Sequence, residues 1–87
     1  MNYSGILISF QQDAMDAALE AIRQLPQVEV FQIDTDGCRA IAVIEAETTG
    51  AEVSVFESIQ KVSGVVDVSL VNHFFSEEEL AHPNANA

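Results

Sequence analysis

The stretch VEVFQIDTDGCRAIAVIEA, residues 28–46, decides the fold. Its first seven residues alternate like a strand that buries one face. Asp36-Gly37 supplies turn chemistry, and RAIAVIEA (residues 39–46) returns as a second strand, so the stretch reads as a hairpin.

Helices flank the hairpin on both sides. Upstream, Met15, Ala18, Leu19, Ile22 and Leu25 recur at spacings of three and four, which puts all five on one face of a helix starting near Asp13. Pro26 ends it, because proline disfavours helical geometry in the residue before it. Downstream, Thr49-Gly50-Ala51-Glu52 has the form of a capping box. Val55, Phe56, Ile59 and Val62 form the buried stripe of the second helix, and Glu57 and Lys61 are spaced for an i,i+4 ion pair. Gly64 is placed to terminate it in a left-handed conformation.

Outermost lie two more strands, SGILISF (residues 4–10) and VVDVSLVN (residues 65–72). Ile22, Leu25 and Val28 are echoed 37 positions on by Ile59, Val62 and Val65. Each triplet is a helix end handing over to a strand. Two similar halves in the order βαββαβ predict an α+β, ferredoxin-like sandwich. Its four-stranded antiparallel sheet has strand order 4-1-3-2, and both helices lie on one face. Residues 1–75 make a single domain, and the acidic, polar remainder SEEELAHPNANA (76–87) is expected to be a flexible tail.

Two helices cover one side of such a sheet, so its other side must meet water or a partner. Alternation assigns Ile6, Ile8, Phe10, Val28, Val30, Ala42, Ile44, Ala46, Val66, Val68 and Leu70 to the core. The open side receives Gly5, Leu7, Ser9, Glu29, Phe31, Ile33, Ile41, Val43, Glu45, Asp67, Ser69, Val71 and His73. This register keeps the three carboxylates out of the core, where an unpaired charge costs several kcal/mol. Apolar surface ringed by carboxylates is complementary to an apolar segment flanked by cations.

Fourteen acidic residues oppose three basic ones, Arg23, Arg39 and Lys61, for a net charge of −11. That balance repels phosphate backbones and anionic lipid, which excludes nucleic acid as a partner. Cys38 stands alone, so no intrachain disulfide and no thiolate cluster can form. No apolar run reaches the ~18–20 residues a membrane span needs. The first residues lack the basic start of a secretory signal, and the chain reads as cytoplasmic.

The strand Gly64-Val65-Val66-Asp67-Val68-Ser69-Leu70-Val71-Asn72-His73 resembles the C-terminal signature of the NapD family. Ile6-Leu7-Ile8, the helix exit Leu25-Pro26 with Val28-Glu29-Val30, and the strand end Ile44-Glu45-Ala46-Glu47 fit the same family, so the likeness spans residues 5–73. The resemblance implies a small cytoplasmic chaperone of periplasmic nitrate reductase maturation. Such a chaperone binds the twin-arginine signal peptide of the catalytic subunit and delays export until the cofactors are inserted. A leader with adjacent arginines and then an apolar stretch is also the complement of the open face.

Enzymatic chemistry finds no support. Ser69 has no histidine in a triad-like context, His73 and His82 are isolated, and the glycines form no phosphate loop. The loop after the first strand, Gln11-Gln12-Asp13, has neither the cysteine pair of a copper carrier nor the arginine of an acylphosphatase. The sequence therefore predicts no enzyme, no metal and no cofactor. The alternative is a small-molecule-sensing regulatory domain acting as a dimer. Face-to-face pairing as a weak homodimer and partial cover by the C-terminal tail are the uses of the open face that compete with peptide binding.

Overall fold

The computed structural model describes residues 2–74, with side chains through residue 71. The strands are β1 (Asn2–Phe10), β2 (Val28–Asp34), β3 (Arg39–Ala46) and β4 (Val65–Phe74), and the helices are α1 (Met15–Arg23) and α2 (Thr49–Gln60). They form one antiparallel sheet in the order β2-β3-β1-β4, the predicted 4-1-3-2 read from its other edge. The expected tail at 76–87 and the side chain of His73 lie outside the described residues.

Both helices cover the same side. Ile6, Ile8 and Phe10 of β1 and Ala40, Ala42 and Ile44 of β3 share one core with Met15, Ala18, Leu19 and Ile22 of α1 and Val55 and Ile59 of α2. Small alanines on the central strand β3 leave room for branched side chains from the helices. Leu25, Phe56 and Val62 pack against this core while remaining partly exposed.

The internal echo is visible in the backbone. Leu25 donates its amide to Ile22 and Val28 to Leu25, at 3.0 and 3.1 Å; Val62 donates to Ile59 and Val65 to Val62, both at 3.1 Å. Each half leaves its helix through the same pair of tight turns. Gly64 makes the second exit with φ +97, and a Cβ there would stand 2.7 Å from the Cβ of Ala14. Its carbonyl accepts the Gln11 amide, which ties the end of β1 to the start of β4.

Several local expectations are corrected. Thr48, rather than Thr49, caps α2: its hydroxyl accepts the Ala51 amide at 3.0 Å. Glu52 is buried at 6% exposure and accepts a hydrogen bond from the Ser4 hydroxyl. Glu57 and Lys61 form no ion pair; Lys61 is the C-cap, and its amide donates to the Glu57 carbonyl. A 3-10 turn at Gln12–Ala14 precedes α1. Val66 is 62% exposed at a register shift in β4, and Leu70, opposite Ile6, is 58% exposed at the sheet edge. Neither belongs to the core.

Candidate functional site

The side of the sheet opposite the helices carries none of the described elements. Cross-strand register arranges its side chains in rows, because directly paired residues share a face. One row runs Asp34, Arg39, Ser9, Asp67 from β2 to β4. The next is Gln32, Ile41, Leu7, Ser69, and the third is Glu29, Val43, Gly5. Glu45 and Tyr3 follow. Leu7, Ile41 and Val43 are half-buried by their neighbours, whereas Glu29 and Glu45 are exposed.

The predicted site residues Leu7, Ser9, Glu29, Ile41, Val43, Glu45, Asp67 and Ser69 fall on this face by register. Ile33 does not. A shift between Val30 and Gln32 leaves Phe31 unpaired and sets Ile33 opposite Ala40, on the helix side. The inserted residue of a β-bulge moves the following side chains to the other face, which is why strict alternation misplaces Ile33. Gln32 takes its position on the open side. Phe31, at the bulge, is 63% exposed and borders the same groove as Val43 and Glu45. Val71 is likewise unpaired, between Gly5↔Asn72 and Ile6↔Leu70, and is 62% exposed.

Tyr3, Gln32 and Arg39 join the face without having been anticipated. The alternation that selected Ile41, Val43 and Glu45 also selects Arg39, and starting the first strand two residues earlier selects Tyr3. Gln32 had no sequence signal, since nothing local announces the bulge.

The three anticipated carboxylates separate into two groups. Glu29 lies directly across from Val43, and Glu45 is two residues further along β3. Asp67 shares the row of Arg39, six residues from Glu45 along β3, which at about 3.4 Å per residue is about 20 Å away. Asp67 accepts the Ser69 hydroxyl at 2.9 Å. Arg39 is held by Asp34 at 3.2 Å, the one ion pair among the described residues. Asp34 also accepts the Gly37 amide at 3.1 Å. That amide, and then Arg39, hold its carboxyl below the ordinary value of 3.8.

Two shallow depressions mark the face. One, of about 330 Å³, is lined by Tyr3, Gln27, Glu29, Phe31, Val43 and Glu45. The other, of about 550 Å³, is lined by Leu7, Gln32, Asp34, Arg39 and Ile41 and also reaches Ile33 and Ala40. Among the described residues no group of His, Cys, Asp and Glu is arranged to hold a metal ion, and no helix is long and apolar enough to cross a membrane.

Fold and face together define a ferredoxin-like protein whose described helices cover one side of the sheet and leave the other open. The chain belongs to the NapD family: the family model described as NapD protein matches residues 1–77. Among solved structures it is similar to the solution structure of the Escherichia coli Tat proofreading chaperone NapD, with 25% identity, 98% of this chain and 90% of that one covered, and a TM-score of 0.76. The crystal structure of TTHA0845 from Thermus thermophilus shares the fold at 24% identity and a TM-score of 0.69, covering 87% of this chain and 95% of that one. The ACT domain of the GTP pyrophosphokinase of Chlorobium tepidum shares it at 17% identity and a TM-score of 0.53, covering 79% and 96%. No curated protein matches the sequence.

Proposed function

We propose that this protein is a Tat proofreading chaperone that holds a twin-arginine signal peptide against the open face of its sheet. The observation that carries the reading is membership of the NapD family together with a sheet whose second side presents Leu7, Ile41 and Val43 between carboxylates. The client is the catalytic subunit of periplasmic nitrate reductase. Binding in the cytoplasm delays its export until the cofactors are in place.

The chemistry of such a leader matches the face. Covering about 400 Å² of apolar surface at about 25 cal/mol per Å² contributes about 10 kcal/mol before the cost of association, which is at least about 4 kcal/mol. Arginine–carboxylate contacts then decide between a weak complex and a micromolar one, and their bidentate geometry gives orientation. Site residues are Leu7, Ser9, Glu29, Phe31, Ile41, Val43, Glu45, Asp67, Ser69 and Val71, with Gln32 in place of Ile33.

Calorimetric titration with a synthetic leader tests this. Micromolar or tighter binding is expected, with at least tenfold loss when both arginines become lysine. Absence of binding, combined with a rise in melting temperature on adding free amino acids, would instead assign the protein to small-molecule sensing.

A further inference from the structure

We propose that the groove between Glu29 and Glu45 is a guanidinium pocket, and that it fixes the direction in which a basic-then-apolar peptide lies over the sheet. The inference rests on the peptide-binding reading above and adds the subsite and the polarity.

Four features support it. First, Glu29 and Glu45 are diagonal neighbours on β2 and β3, a relationship that sets residues about 7–8 Å apart. Two flexible carboxylates at that spacing can both reach one guanidinium, which donates to each from about 2.8 Å. Second, neither carboxylate is taken up internally. Of the acids that register places on this face, Asp34 is engaged by Arg39 and Gly37 and Asp67 by Ser69, whereas Glu29 and Glu45 make no ion pair or side-chain hydrogen bond among the described residues. Third, the groove between them is lined by Tyr3 and Phe31, and aromatic faces attract guanidinium groups. Fourth, at the far end Arg39 already engages Asp34 and Ser69 donates to Asp67, so that end offers an incoming arginine fewer unengaged carboxylates.

The arginine end therefore sits over Glu29 and Glu45. The apolar continuation then runs past Val43 and across Leu7 and Ile41 toward the row of Arg39.

The test uses the full chain and a synthetic peptide with adjacent arginines followed by an alanine–leucine stretch, carrying a nitroxide at its N-terminus. The nitroxide is expected to broaden the amide signals of Tyr3, Glu29 and Glu45, leaving those of Ser9 and Asp67 sharp. The reverse pattern, or equal broadening at both ends, overturns the assigned direction. With unlabelled peptide, Glu29→Gln and Glu45→Gln are each expected to weaken binding about tenfold, Phe31→Leu about threefold and Asp67→Asn by less than either glutamate variant. Unchanged melting temperatures would show that the variants fold. Loss of affinity in Asp67→Asn equal to that in Glu45→Gln overturns the pocket while leaving peptide binding standing. Failure of the unaltered protein to bind the peptide overturns both.

Discussion

Ser4 donates its hydroxyl to the carboxylate of Glu52, joining β1 to α2 beneath the sheet with both side chains buried. A buried carboxylate that loses a donor bears the cost of its own desolvation. Ser4→Ala is therefore expected to lower stability by about 1–3 kcal/mol, read as a lower urea midpoint. Glu52→Gln retains an acceptor and should cost less. A Ser4→Ala midpoint equal to the parent's would show that the bond contributes nothing.

Two glycines should respond in opposite senses to alanine. Gly64 has φ +97, and an added Cβ meets Ala14 at 2.7 Å, so Gly64→Ala is expected to cost at least about 2 kcal/mol. Gly50, in the first turn of α2, has only the Thr48 hydroxyl within reach, at 4.0 Å. Gly50→Ala should stabilise by about 0.5–1 kcal/mol. Thermal denaturation of both variants distinguishes a conformational requirement from a mere sequence preference.

The bulge at Phe31 separates stability from binding. Because Ile33 pairs opposite Ala40 on the helix side, Ile33→Ala is expected to lower stability by about 1 kcal/mol and to weaken peptide binding only slightly. Val43→Lys should do the converse, leaving a folded protein that repels the arginines and fails to hold the leader. If Ile33→Ala weakens peptide binding as strongly as Val43→Lys does, the bulged register is wrong.

The hairpin carries a pH signature. The Asp34 carboxyl titrates below 3.8 because the Gly37 amide and then Arg39 favour its ionised form. A depressed folded value stabilises the hairpin above 3.8, and that contribution is lost as pH falls through the folded value. Carbon-detected NMR titration should place the Asp34 midpoint below 3.8 in the parent and nearer 3.8 in Arg39→Gln. Gly37→Ala should move it the same way, since a Cβ there would stand 2.5 Å from the Asp34 carboxylate. Identical midpoints in all three proteins would remove the assigned cause.

The contrast between Ile33 and Ile41 shows how far the sequence could be read. Both belong to clear strand patterns, and the element order, the sheet order and the side taken by the helices follow from periodicity and the duplicated turns. Ile41 keeps its face because β3 pairs without interruption to β1, whereas one inserted residue at Phe31 turns Ile33 over. Bulges at Phe31, Val66 and Val71 are set by pairing between distant strands, so local alternation carries no trace of them. Burial of Glu52 was equally hidden: a glutamate in a Thr-x-x-Glu frame reads as a cap until a facing hydroxyl is known. The alternation did show that the open face was apolar with an acidic border. The division of that border into a Glu29–Glu45 end and an Asp67 end needed the register.

The central claim is that the helix-free side of the sheet receives the leader. Amide chemical-shift mapping during titration of the full chain with a twin-arginine leader tests it most directly. The largest changes are expected at Leu7, Glu29, Ile41, Val43 and Glu45, with little change at Asp16, Glu20 and Glu57 on the helices. Changes concentrated on α1 and α2, with the sheet residues unmoved, would contradict it.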